Sequence, residues 1–258
     1  MSALRAALPW GLLQAGLFVV AEWGPDSPSL GFVLAFGAAA LSCTAAAFSA
    51  AGWAPGRRLV LPAALVGIGL VALLMRLDPP PHAFAVLHGY VLLFAGGLVG
   101  AALGREVVDR AHLWPLVIVA AAADLWSVTA PAGVTRAIVE GRAPISLSAV
   151  VLHLPVGPGE VAPVLGVGDI LLTSFLVAAA ARVGLPRRRT GLGLAAGFFI
   201  CFGALAAIQA PVPALPFVAL AFAAAHGAAL RPRPRELGAA LAVAGSLFAL
   251  GALALRAA

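Results

Sequence analysis

The stretch RRLVLPAALVGIGLVALLMRLDPPP at 57–81 decides the fold class. Between Arg58 and Asp78 the only charged side chain is Arg76. A run of roughly 20 mostly apolar residues is what a helix needs to cross a bilayer. The flanks say the same. Arginines stay at the membrane interface, and the prolines 79–81 interrupt any helix that reaches them.

That unit recurs along the chain. Apolar segments at 6–23, 29–51, 59–77, 82–104, 112–130, 164–184, 191–209, 212–230 and 237–255 are separated by sharp breaks. The breaks are GPDSP at 24–28, PGRR at 55–58, the proline run, GREVVDR at 104–110, PRRR at 186–189 and RPRPRE at 231–236. Hydrophobic residues fill 62% of 258 positions and charged residues 10%, well below the share of about 25% charged residues typical of soluble domains. The expectation is an all-α polytopic membrane protein of about nine transmembrane helices, with about four in 1–111 and the rest in 112–258. Arg5 followed by apolar residues resembles a secretory leader, but the run continues to Glu22 and Trp23, so 6–23 reads as a first span.

The net charge of +6 comes from arginine alone, since the chain has no lysine. Nucleic acid is not the expected partner, because these arginines sit in short connections between apolar segments. Arg5, Arg57, Arg58, Arg105, Arg110, Arg182, Arg187 to Arg189, Arg231, Arg233 and Arg235 fall on one side of a nine-span chain. That side is expected to be cytoplasmic, with the N-terminus inside and the C-terminus outside. Cys43 and Cys201 lie inside apolar segments and read as small buried side chains rather than a disulfide.

Glycines four apart, at Gly96, Gly100 and Gly104 and again at Gly193 and Gly197, predict close helix contacts in lipid. GLGLAAG at 191–197 resembles a nucleotide loop in composition only, since it lacks the preceding strand and the lysine. Residues 131–163 form the one long connection. Within it, 145–154 reads either as a short strand or as an interfacial loop. Of the five histidines, at 82, 88, 112, 153 and 226, none has ligand spacing. His88 and His226 are expected to bond between helices, and His153 to be a polar surface residue.

Asp124 and Asp169 are the acidic residues well inside apolar segments. A charge at the bilayer centre costs about 2.5–3.5 kcal/mol even on lenient scales, so such residues usually serve transport, proton movement or chemistry. Counted from the outer ends of their spans, the two lie at depths of roughly 9 and 7.5 Å. Close carboxylates tend to share one proton, so that one acts as a base toward water and the other as an acid. Ser127 and Thr173 lie on the same helical faces as the aspartates, with back-bonding to their own helices as the ordinary role. Position and charge alone also suit a proton-coupled carrier.

Three local motifs, in order, point elsewhere. ADLWSV at 123–128 contains Asp124, GVGD at 166–169 contains Asp169, and PAL at 213–215 lies inside PVPALP. Over about residues 112–230 the chain resembles the presenilin and signal peptide peptidase family of GxGD intramembrane aspartyl proteases. Ala123 stands where that family usually has tyrosine. The resemblance implies a presenilin-like bundle in which 112–258 is the catalytic region and Asp124 and Asp169 are the catalytic pair. It also implies that Gly166, Gly168, Pro213, Ala214 and Leu215 shape the active site and hold substrate. The expected substrates are membrane-spanning helical peptides or proteins, with the lipid bilayer as the surrounding partner and no metal or organic cofactor. An exterior loop between the catalytic spans is the arrangement of signal peptide peptidase. Residues 145–154 are then placed to pair with an unwound substrate segment. Prepilin peptidases fit less well because Ile170 and Leu171 follow the aspartate and lysine is absent. HExxH and a rhomboid-like GxSG are absent too. The alternative classes are a proton-coupled transporter and a catalytically inactive membrane scaffold.

Overall fold

A computed structural model describes residues 28–52, 60–131, 133–143, 146–157, 160–208, 212–230 and 232–257. Within these, α1 (Pro28–Gly52), α2 (Val60–Leu77) and α3 (Pro81–Gly104) come first. A 3-10 turn at Arg110–His112 leads into α4 (Leu113–Thr129), followed by the short helices α5 (Val134–Val139) and α6 (Leu147–Val150). A hairpin of β1 (Val151–Gly157) and β2 (Glu160–Gly166) then runs into α7 (Val167–Arg182). The helices α8 (Arg187–Ile208), α9 (Leu215–His226) and α10 (Pro234–Ala257) close the described chain. Prolines open α1, α3 and α10, where a missing N–H leaves no helix bond unmade.

Five stretches are long and apolar enough to cross a membrane: Leu34–Gly52, Val60–Leu77, Ala83–Gly104, Arg110–Val139 and Arg187–Ile208. The described chain is therefore mostly helical and of membrane type at this level. The segment 6–23, read as a first span, lies outside the described residues. On α2, Leu61, Leu65, Val66 and Ile68 are each at least 59% exposed, an apolar surface suited to lipid rather than water.

The chain forms two compact units. One comprises residues 1–104 and 148–178, the other 105–147 and 179–258.

In the first unit, α1 and α2 pack on α3, and the hairpin lies against α1 and α3. The spacing of Gly96 and Gly100 does what it predicts. A Cβ on Gly96 would stand 3.2 Å from Ile170 of α7, and one on Gly100 would overlap the Leu171 carbonyl. The antiparallel hairpin pairs Val151 with Gly166 and Leu152 with Leu165, then shifts register at His153. Leu152 and Leu154 are fully buried, which fixes the register, because a one-residue slip turns every side chain to the other face.

Two readings of this region change. The strand begins at Val151 rather than 145, since Leu147–Val150 makes a helical turn instead. Residues 164–166 belong to β2, so the helix bearing Asp169 starts at Val167.

In the second unit, α9 packs on α8 and on α4, while α10 packs on α4. GLGLAAG is helical, and Gly193 and Gly197 face α9. A Cβ on Gly193 would sit 2.8 Å from the Ala225 Cβ, and one on Gly197 would sit 2.5 Å from the Val218 Cα. Thr190 Oγ1 and His226 Nε2 bond between α8 and α9 at 3.0 Å, the interhelical role expected of His226. The starts of α4 and α10 are tied by charge. Arg233 donates to Asp109 Oδ2 at 2.6 Å, and His112 lies 3.4 Å from Glu236. Asp109 Oδ1 also accepts from Ala111 N, capping the 3-10 turn. Cys43 and Cys201 are buried and neither is in a disulfide, as expected.

Candidate functional site: two carboxylates at helix starts

Asp124 and the PAL segment lie in the second unit. The start of α9 has few ways to satisfy its backbone. The N-cap residue Ala214 has no side-chain acceptor, and Pro216 has no N–H. Phe217 and Val218 donate to the Ala214 carbonyl at 3.1 Å. That leaves the N–H of Leu215, which donates to Asp124 Oδ2 at 3.0 Å. An aspartate on α4 therefore caps a helix that begins 91 residues later. The helix N-terminus favours negative charge there as well. Asp124, Pro213, Ala214 and Leu215 are all half-buried, and the structure brings the PAL segment directly onto the first aspartate.

Ser127, one turn beyond Asp124, does not back-bond to its own helix. Its hydroxyl pairs with Thr135 Oγ1 at 2.8 Å and accepts from Thr135 N at 2.9 Å, capping α5. The turn between α4 and α5 also requires Gly133, whose Cβ would overlap the Ser127 carbonyl.

Asp169 and the glycines of its motif lie in the first unit. Asp169 is the third residue of α7, and its Oδ2 accepts the N–H of Gly166 at 3.0 Å. This is the reach-back bond of a capping box, from the third helical residue to the cap. It joins the last residue of β2 to the first turn of α7. A Cβ on Gly166 would stand 3.3 Å from that same Oδ2, whereas one on Gly168 would meet nothing within 4 Å. Gly166 thus lets backbone and carboxylate meet, and Gly168 leaves open space beside them. Asp169 is half-buried and Gly168 exposed. Thr173 is fully buried and makes no back-bond to α7. Its side chain and the thiol of Cys43 on α1 are neighbours, and Asp169 lies within electrostatic range of that thiol.

The two aspartates share one pattern. Each aspartate has one oxygen held by a backbone N–H at a helix start, and each helix is short, with 16 residues in α7 and 12 in α9. At about 1.5 Å per residue, neither spans a hydrocarbon core of about 30 Å by itself. Non-helical chain precedes both: strand β2 before α7, and residues 212–214 before α9. The Asp124 cap has no local sequence signature, because only the fold supplies its partner Leu215, whereas Asp169 reaches a partner three residues away, within its own GVGD motif. No group of three or more possible metal ligands occurs among the described residues.

His153 departs from its expected surface position. It is 8% exposed and belongs to a ring cluster with His88 and Phe84. Comparison with models of known protein families, with curated proteins and with solved structures found no match to this chain.

Proposed function

We propose that the chain is an intramembrane aspartyl endopeptidase in which Asp124 and Asp169 act as one acid–base pair on membrane-spanning helical substrates. One observation carries the reading. The aspartates of both motifs hold the starts of α-helices through their carboxylates, at GVGD and at PAL, where the backbone leaves regular helix. Non-helical backbone at membrane depth is tolerated where it is buried in protein or lines water. Peptide hydrolysis inside a bilayer needs such a place, because water must reach a substrate whose own helix has opened.

The chemistry follows from the carboxylates. The Leu215 N–H engages Asp124 Oδ2 and fixes the side chain, while Oδ1 makes no other hydrogen bond among the described residues and is the oxygen that exchanges protons. With one proton between two carboxylates, the ionised member takes a proton from water as the water attacks the scissile carbonyl carbon. The protonated member donates to the carbonyl oxygen, giving a geminal diol. As the diol collapses, the member that took the water proton donates it to the departing amide nitrogen, and the other regains a proton from a diol hydroxyl. The protons return to their starting count after each cleavage, and no covalent intermediate forms. Gly168 leaves room for a substrate backbone, and residues 213–215 border the first carboxylate. The hairpin preceding α7 offers backbone for an extended segment.

The reading includes nine spans, an interior N-terminus and an exterior C-terminus, with the arginine-rich connections in the cytoplasm. The test uses purified chain in liposomes with single-span peptides inserted in both orientations and fragments detected by mass. Cleavage that vanishes in Asp124→Asn and in Asp169→Asn supports the assignment. Ion-coupled uptake altered by the same changes, with no peptide product, would replace it with a transporter.

A further inference from the structure

Between α3 and the hairpin lies a ring cluster that the aspartates do not use. Phe84 and His88 stack on α3 with centroids 4.8 Å apart and planes 12° from parallel. His153 of β1 stands 5.9 Å from His88 and 5.7 Å from Phe84. His88 is fully buried and His153 is 8% exposed. His88 Nε2 meets the Ala149 carbonyl at 3.2 Å. A carbonyl only accepts, so that nitrogen carries the hydrogen and Nδ1 of the neutral ring is a bare lone pair. Nδ1 of both rings is buried without a hydrogen-bond partner.

This arrangement suits neutral imidazoles and penalises charged ones. A proton added at His88 Nδ1 finds no acceptor among the described residues, and an unpaired buried cation is costly. A second proton sets like charges on rings 5.9 Å apart. The Phe84 face offsets part of this by cation–π attraction, less than the cost of burying an unpaired ion.

The surroundings offer no counter-charge among the described residues. Cys43, on α1, lies in the group with Thr173 and Asp169 of α7. Besides His88, α3 carries Tyr90 and His82, β2 carries Glu160, and α2 carries Arg76 on the helix that packs against α3. The side chains of His82 and Glu160 lie outside the described residues. Burial and then His88 hold the His153 imidazole below the usual histidine range, against an opposing pull from the Val151 carbonyl.

We propose that the His88–His153 pair is an acid-sensitive catch, fastening the β1–β2 hairpin to α3 while both rings are neutral and releasing it when either gains a proton. Val151 pairs with Gly166, the residue whose N–H Asp169 holds, so release loosens the register at the start of α7. The inference rests on packing within this unit and stands whether or not Asp169 performs hydrolysis. Its direction follows from the preference for neutral rings. The undocked hairpin takes up protons first, so docking is complete above roughly pH 6.5 and weakens below it.

The experiment is hydrogen exchange with mass detection on the full chain in phosphatidylcholine nanodiscs at pH 7.5 and 5.0, corrected for the intrinsic pH dependence of exchange. Peptides from 147–166 should lose protection by about tenfold or more relative to α8 and α9, a factor of ten being one pKa unit of preference for the neutral rings. The loss should disappear in the double variant His88→Gln, His153→Gln. Selective 15N-histidine NMR on the unmodified chain reads both rings even where that variant does not fold, and hairpin release should follow their protonation. Unchanged wild-type protection at pH 5.0 overturns the proposal. So does an acid loss that persists in the double variant, or rings that titrate while the hairpin stays protected.

Discussion

Asp124 Oδ2 accepts the backbone N–H of Leu215 at 3.0 Å, so the carboxylate read as half of an acid–base pair is also the N-terminal cap of α9. Structural and chemical roles of this side chain can be separated by choosing the substitution. Asparagine keeps an oxygen that accepts from Leu215, whereas alanine removes it. Asp124→Ala should cost about 0.5–2 kcal/mol, the usual worth of a cap. That is a fall in Tm of about 2–4 °C per kcal/mol for a chain of this size. Asp124→Asn should stay near wild type or above it, since it removes a charge that is costly to hold in a membrane. Thermal unfolding in detergent compares the two. Equal loss in both variants would mean that charge, not the hydrogen bond, holds α9.

Gly197 tests the packing of α8 on α9. A Cβ there would stand 2.5 Å from the Val218 Cα and 2.9 Å from the Phe217 carbonyl, both backbone atoms that cannot rotate away. Gly197→Val should destabilise by about 1–3 kcal/mol through overpacking. Gly203→Val on the same helix, where a Cβ meets nothing within 4 Å, should be nearly silent. Matched destabilisation of the two would remove the close-approach argument.

Acid should loosen the tie between α4 and α10 at Asp109. The Ala111 N–H, more than Arg233 and His112, holds this carboxyl below the usual aspartate range, with partial burial opposing. A carboxyl whose folded value is depressed stabilises the fold above the unfolded value of roughly 3.9, and that contribution is lost as pH falls further. Asp109→Asn should therefore flatten the acid limb of stability below about pH 4 and leave neutral stability little changed, because the pair is exposed and screened. An acid limb identical to wild type would assign the loss to other carboxylates.

Topology is open to direct measurement. With nine spans and an interior N-terminus, a reporter fused after Ala258 is exterior and one inserted at 187–189 is cytoplasmic. Both reporters on one side would show that a span was miscounted.

Much of the helical layout is legible in the sequence because its boundaries are chemical. Pro28, Pro81 and Pro234 open helices where their missing N–H is harmless, and the arginine breaks at 104–110 and 186–189 fall between them. The glycines of α3 and α8 likewise announce close contacts. The hairpin is less legible. Val151–Gly157 has strand composition, but its partner Glu160–Gly166 runs into an apolar helix and reads as part of it. Pairing of Val151 with Gly166 is a property of two segments, not of either alone. For the same reason His153 looked like a surface residue, although β1 turns it onto His88. Ser127 looked like a back-bonding serine, although Thr135 bonds it from the next helix. The motif aspartates stand out locally, but the role of Asp124 as a cap for Leu215 depends on backbone 91 residues away.

The central claim is that Asp124 and Asp169 act together. The most direct measurement is the cleavage rate of a single-span peptide by wild type, Asp124→Asn, Asp169→Asn and the double variant, read as fragment mass across pH. A base without its acid leaves water activation uncoupled from protonation of the leaving group. Each single change should therefore abolish cleavage, the double variant should be little worse than either, and the wild-type profile should be bell-shaped. Fragments that persist undiminished in both single variants would contradict the account.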